Sequence, residues 1–264
     1  MAAPSSVAQL HVDAVTRVVR HIRAEPGAPH PLAELAAVAM LSPSHFRRTF
    51  WEVTATTPAQ FLTAVRMAVA KRLLTETDLS VTAIRDRVGY TSLGTFTTRF
   101  SRLVGVSPSA YRRAVAQVGG RRISSLLDVS RVAPFPRAAV RGVVLGGPSH
   151  PAVLVTGLFP AGIPSGRPVG CTVLPLTEPD GRRVGIAVQE DGEYQAFAVC
   201  LAERTTITRA LCADPQEHVG SAEASVVVRG GRAEEPFEVR LHRARPYDPP
   251  VIPAVPLLLA LGRT

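Results

Sequence analysis

Two adjacent arginines, Arg47 and Arg48, share one face of a short amphipathic segment with Ser44 and His45, while Phe46 and Phe50 occupy the other. A guanidinium is a planar fork of donors suited to phosphate oxygens and to the O6 and N7 acceptors of guanine. The other residue types that carry chemistry are scattered. His150, His218 and His242 share no metal-type spacing with one another or with cysteine. Cys171, Cys200 and Cys212 fall in or beside apolar runs, away from the electropositive, partly exposed setting that a nucleophilic thiol needs. Glu234-Glu235 read as loop charges, and no Gly-rich phosphate loop precedes a helix. The expectation is therefore no catalytic residue, no cofactor and no metal site, with polyanion binding as the remaining chemistry.

The charge distribution points the same way. The 264-residue chain carries 30 Lys and Arg, of which only Lys71 is lysine, against 21 Asp and Glu, for a net charge of +9. Residues 1–133 hold 17 of the cationic and 8 of the acidic residues, so the whole excess lies there and the remainder is neutral. A basic half joined to a neutral half suggests a polyanion-binding module plus a second unit. A hydrophobic content of 46% excludes wholesale disorder. No run reaches the roughly 18 apolar residues of a membrane helix. The start Met1-Ala2-Ala3-Pro4 lacks the basic and apolar regions of a signal peptide. Three scattered cysteines make no disulfide framework. The expected setting is cytoplasmic, with no membrane partner.

Those residues need elements to hold them. Val12, Val15, Val18, Val19 and Ile22 recur at three- and four-residue spacing, which predicts an amphipathic helix ending before the proline-rich stretch 25–31. Leu32–Ala39 predicts a short helix, Met40-Leu41-Ser42 a turn, and Ser42-Pro43 the capped start of a second helix. A long helix follows from about Pro58 to Glu76. The pattern then returns: a short helix from Val81, a turn at Gly89-Tyr90-Thr91, and a helix capped by Ser92 in which Phe96 and Phe100 repeat the spacing of Phe46 and Phe50. Ser107-Pro108 opens one more short helix through Arg113. The phenylalanines read as core because of their helical spacing.

The segments Leu32–Ala36 and Ser42–Phe50, then Arg66–Leu74, then Val88-Gly89-Tyr90 through Phe96–Phe100, and last Gly105–Arg112, resemble five linked signatures of the AraC/XylS family of transcription regulators, in order. The resemblance spans about residues 12–113. It implies two recognition helices entering successive major grooves of double-stranded DNA. Carried over by position, Ser44, Arg47 and Arg48 of the first helix and Leu93, Gly94, Thr95, Thr97 and Thr98 of the second face base edges. Ser42, His45, Ser92, Arg99, Arg102 and Arg112 fall beside the backbone. Family members often have arginine where this chain has Thr98. Here the arginine is Arg99, about 100° round the helix, so the first helix is expected to carry more of the specificity. Arg85, Arg87 and Arg113 read as phosphate neighbours or solvated charges.

From residue 134 the signals change to period two. Phe237–His242 alternates without fault, and further strands are predicted at Ala139–Leu145, Ala152–Phe159, Pro168–Leu174, Arg183–Val188, Tyr194–Leu201 and Ser225–Arg229. About seven short strands separated by Gly, Pro and Asp suggest a β-sandwich or barrel. Over short stretches, Val140–Val144, Ala152–Phe159 and Asp191–Ala198 resemble transthyretin-like, carboxypeptidase-regulatory-type β-sandwiches.

The expected class is multi-domain α plus β: an all-α double helix-turn-helix domain over 8–116, a polar linker over 117–134, an all-β sandwich-like domain over 135–248 and a proline-rich apolar tail over 249–264. The implied function is sequence-specific DNA binding without enzymatic activity. The β domain would serve an effector or assembly, leaving RNA polymerase, a small-molecule effector and a second copy of the chain as candidate partners. The competing reading is a DNA-tethered enzyme or a carbohydrate- or ligand-binding module.

Overall fold

The computed structural model describes residues 6–130, 140–160, 163–177, 181–212 and 217–262. The basic half consists of helices α1 (Ser6–Ala24), α2 (Leu32–Ala39), α3 (Pro43–Thr54), α4 (Pro58–Glu76), α5 (Val81–Arg87), α6 (Leu93–Val104) and α7 (Pro108–Val118). Five of these starts are set by one local device. Ser42, Thr57, Ser80, Ser92 and Ser107 each accept a hydrogen bond from the backbone N–H three residues on. Each satisfies a donor that the first helical turn would otherwise leave unpaired. Proline occupies an early position in α3, α4 and α7, where its missing N–H costs nothing. The result is a duplication, α2–turn–α3 and α5–turn–α6, with α4 between the two copies.

α4 contributes to two cores. Its first part gives Phe61, Leu62 and Val65 to a cluster with Val15, Val18, Ile22, Leu35, Phe46 and Phe50. Ring centroids there lie 5.5 Å apart for Phe46–Phe50 and 5.6 Å apart for Phe50–Phe61. Its later part gives Met67, Ala70 and Leu74 to a second cluster with Ile84, Val88, Phe96, Phe100, Val104 and Tyr111. The four-residue phenylalanine spacing read from the sequence thus becomes the centre of each unit.

A 3₁₀ turn (Ile123–Ser125) and α8 (Leu126–Ser130) lead to the second half. Its strands are β1 (Val140–Leu145), β2 (Ala152–Pro160), β3 (Gly170–Leu176), β4 (Arg182–Ile186) and β5 (Gly192–Ala202). After α9 (Ile207–Cys212) come β6 (His218–Ser221), β7 (Val226–Arg229), β8 (Arg232–Ala233), β9 (Phe237–Arg240), β10 (His242–Arg243) and α10 (Val255–Ala260). One sheet has the order β4-β1-β9, with β1 and β9 parallel. The larger has the order β10-β6-β5-β2-β3, with β7 beside β5 and β8 beside β7. On one face of the larger sheet, Leu154, Leu158, Ala196 and Cys200 pack against Val140, Val144, Ile186 and Val239 of the smaller. On the other face, Val153, Val155, Phe159 and Leu201 join the cluster of the second helix-turn-helix unit. β2 is therefore buried on both faces, which is why it reads as a continuous apolar run.

The two halves share this core instead of being joined by a free connector. Within the stretch expected to be a linker, Ile123 and Leu126 are fully buried. The Ile123 N–H donates to Thr205 O at 2.9 Å, and the Ile207 N–H donates to Arg121 O at 2.9 Å. The polar run at 119–122 conceals two apolar anchors. The remaining linker residues, 131–134, lie outside the described residues. The tail is also built in: Leu257 and Leu258 of α10 are fully buried, and the Ala254 N–H donates to Val104 O at 3.1 Å. α9 is a helix within the domain expected to be all-β, and α10 is a helix within the proline-rich tail.

Candidate nucleic-acid interface

α3 presents the side that the sequence predicted. Phe46, Thr49 and Phe50 are buried, while Ser42, Ser44, Arg47 and Arg48 are exposed. The Arg48 side chain is 72% exposed, and its Nε lies 3.8 Å from Glu52 Oε1, a loose pairing within the helix. An exposed ion pair of this kind is worth at most about 1 kcal/mol, so Arg48 can exchange it for another acceptor at little cost. His45 is half-buried, with its ring edge-on to His11 at 5.6 Å, between α3 and α1. On α6, Ser92, Leu93, Gly94, Thr95, Thr98, Arg99 and Arg102 are exposed, and Thr97 is half-buried. Thr97 Oγ1 donates to Leu93 O at 2.8 Å, which leaves its oxygen as an acceptor and its methyl as an apolar contact. The exposed Leu93 at the start of α6 adds a second apolar group, of the sort that meets a thymine methyl.

Three arginines near this surface are spent inside the fold. Arg112 donates to the carbonyl oxygens of Leu74 (3.3 Å), Thr77 (3.3 Å) and Leu79 (2.6 Å), tying α7 to the end of α4. The structure thus replaces the expected backbone contact at Arg112 with an internal tie. Arg112→Ala is expected to lower stability by about 1–3 kcal/mol, since it strips a charged donor from three part-buried carbonyl contacts. The salt dependence of DNA binding should stay unchanged, as a urea melt and a salt titration would show. Arg85 pairs with Asp86 at 2.5 Å and donates to Thr91 O at 3.0 Å. Arg66 of α4 donates to Pro26 O and Ala28 O, each at 2.8 Å, and stacks over Tyr90 at 5.6 Å. It holds the α1–α2 loop of the first unit against the turn of the second, and burial lowers its pKa.

Gly89 completes that joint. Its φ is +75°, and a Cβ there would run into the carbonyl oxygen of Gly27 and sit 2.9 Å from Arg66 Nη2. A left-handed conformation alone costs a non-glycine residue about 1–2 kcal/mol. Gly89→Ala is expected to cost at least that, and to weaken DNA binding further by displacing one unit from the other. A thermal melt beside a binding titration would separate the two effects.

With this geometry in place, the likeness to known proteins is specific. A family model described as a helix-turn-helix domain matches residues 35–114. An HTH-type transcriptional regulator of Mycobacterium tuberculosis is 38% identical over 94 residues, 36% of this chain and 36% of that protein. Residues 35–114 are an AraC-type helix-turn-helix domain. The RCS-specific HTH-type transcriptional activator RclR of Escherichia coli K12 is 33% identical over 101 residues, 38% of this chain and 36% of that protein. The chain therefore spans only about a third of the length of the curated relatives it matches. Among solved structures, the DNA-binding domain of AdpA, in complex with a target DNA, is 33% identical over a match that covers 39% of this chain and 93% of that one, with a TM-score of 0.38.

Outside the AraC-type domain, the thiols behave as buried groups. Burial pushes Cys200 up to about 12 and Cys171 up to about 11, and also raises Cys212. All three should be labelled by iodoacetamide near pH 8 at least about tenfold more slowly in the folded chain than in urea. A fast-reacting thiol in the folded protein would contradict this. Two features escaped the sequence reading. His21 of α1, His30 of the proline-rich loop and Glu34 of α2 bring ligand atoms within 4.8 Å of one another, a proximity that their sequence spacing does not show. His21 Nε2 lies 3.3 Å from Glu34 Oε1, and His30 Nε2 donates to Glu25 O at 2.8 Å, so these contacts already brace the proline-rich loop. The second feature is a cavity of about 750 Å³ between the first helix-turn-helix unit and the larger sheet.

Proposed function

We propose that this protein is a sequence-specific, double-stranded-DNA-binding transcriptional regulator that acts by binding and not by catalysis. The observation that carries the reading is the duplicated, serine-capped unit that exposes Ser44, Arg47 and Arg48 on α3 and Leu93 to Thr98 on α6. The half that contains it also holds the chain's entire net charge of +9. α4 has 19 residues and is about 28 Å long at 1.5 Å per residue. That is close to the roughly 34 Å of one DNA turn, which suits two recognition helices in successive major grooves. The relatives' description as HTH-type transcriptional regulators supports the same reading. In it the protein works in the cytoplasm. Effector, RNA polymerase and a second copy of the chain are the partners such a regulator would add.

The test is selection of bound duplexes from a random pool with the full chain, followed by a salt titration on the selected site. A defined motif should emerge, and log affinity should fall linearly with log salt, steepening by about 0.9 for each phosphate neutralised. Flat salt dependence, or no enrichment, would overturn the proposal.

A further inference from the structure

The loop that joins α1 to α2 carries the joint between the two helix-turn-helix units. Arg66 of α4 grips its carbonyls at Pro26 and Ala28, and its Gly27 abuts Gly89. Three side chains around that loop take no part in the DNA-facing surface. They are His21 in the last turn of α1, His30 near the end of the loop and Glu34 in the first turn of α2. Their ligand atoms lie within 4.8 Å of one another, and among the described residues no other three of His, Cys, Asp or Glu are so grouped. The rings of His21 and His30 stand edge-on, with centroids 5.1 Å apart.

His30 is the fixed member of the group. It is 6% exposed, and its Nε2 lies 2.8 Å from Glu25 O. A carbonyl only accepts, so Nε2 carries the proton and Nδ1 of the neutral ring keeps a lone pair. That Nδ1 is buried with no hydrogen-bond partner among the described residues. Buried polar atoms are paired almost without exception, so an orphaned nitrogen in a group of ligands calls for a partner of another kind. An imidazole that donates one N–H to a backbone carbonyl and offers its other nitrogen is in the usual state of a metal-bound histidine.

The other two side chains are spaced for the same occupant. His21 Nε2 and Glu34 Oε1 are 3.3 Å apart, beyond the roughly 2.7–3.2 Å of a good N–H···O bond. Two ligands that each lie about 2.0–2.1 Å from a tetrahedral zinc ion stand about 3.3 Å from each other. Glu34 is exposed and His21 half-buried, so both have room to turn toward His30. Two imidazoles and one carboxylate favour zinc over magnesium and calcium, which take oxygen ligands.

We propose that His30 Nδ1, His21 Nε2 and the Glu34 carboxylate bind one zinc ion, with a water as the fourth ligand. The ion ties the end of α1 and the start of α2 to the loop between them. Occupancy thereby stiffens the joint on which Arg66 and Gly89 bear, and raises DNA affinity by holding the two units in register. This coupling rests on the DNA-binding reading above; the zinc site does not.

The full chain, stripped with EDTA and dialysed, is titrated with zinc against a chromophoric zinc chelator, and with magnesium in parallel. One equivalent of zinc should bind, and magnesium should not compete. Glu34→Gln and His21→Gln should each weaken zinc binding at least about tenfold, the scale on which loss of even an outer-shell partner is felt. His150→Gln, in the β half, should leave it unchanged. Nitrogen-15 spectra of the zinc-loaded rings should show His30 bound through Nδ1 with its Nε2 proton retained, and His21 bound through Nε2. No zinc uptake, undiminished uptake by Glu34→Gln, loss of uptake in His150→Gln, equal uptake of magnesium, or unshifted His21 and His30 rings would each overturn the site. Glu34 is exposed, so Glu34→Gln decides the matter if His21→Gln does not fold. Zinc should then raise the affinity of the wild-type chain for its selected duplex at least about fivefold, a typical lower limit for coupled sites, and leave that of Glu34→Gln unchanged. An unshifted wild type would overturn the coupling. A chain that takes zinc but binds no duplex with or without it would overturn the DNA reading and leave the site standing.

Discussion

Phe100→Ala is expected to destabilise the protein by about 3–5 kcal/mol, the usual cost of emptying a fully buried phenylalanine site, and to carry the β half down with the helices. Phe100 is wholly buried between Phe96 and Tyr111, with ring centroids 5.8 and 5.9 Å away. The cluster around it runs on into Val155 and Leu201 of the sheet and Leu257 of α10. Urea denaturation followed by far-ultraviolet circular dichroism should show one transition moved to lower denaturant. Phe46→Ala provides the contrast, because Phe46 sits in the separate core of α1–α3 and the start of α4. There Trp51 fluorescence should change at lower urea than the sheet signal does. If Phe100→Ala leaves the sheet melting where it did, the two halves do not share a core.

That shared core marks the limit of what residue order makes legible. The helical half could be read because its signals are local. A capping serine, a proline at the first turn and a phenylalanine every fourth residue all act within one or two turns, and each is where the sequence placed it. Most strands were legible for the same reason, since alternation is a property of five or six residues. β6 and α9 were not, because His218–Ser221 and Ile207–Cys212 are too short and mixed to show a period. Nothing local shows that one face of a sheet will rest on a helix-turn-helix unit, or that Ile123 after two arginines is an anchor. Arg112 illustrates the same limit within the site. Its position on the helix matched a backbone contact, but its three acceptors lie at the end of α4, 33 to 38 residues away in sequence.

Within the proposed function, Arg48→Ala should remove preference at one base pair of the selected site, costing about 1–3 kcal/mol on the preferred sequence and little on sequences already changed there. The argument rests on how the two recognition helices differ. Arg48 is 72% exposed and held only by a 3.8 Å pairing with Glu52, so its five donors remain available for the paired acceptors of a guanine. Arg47 beside it is exposed and should behave similarly at a neighbouring position. On α6 the matching surface is Thr95, Thr97 and Thr98, and the Thr97 hydroxyl already donates to Leu93 O. Single hydroxyls and methyls discriminate less than a two-pronged arginine, and Arg99 is rotated about 100° from Thr98. Thr98→Ala should therefore change base preference less than Arg48→Ala does. Affinities of both variants across the selected site and its single-base changes would measure this. A loss that is uniform over all sequences, together with a shallower salt slope, would move Arg48 to the phosphate backbone and leave specificity to α6.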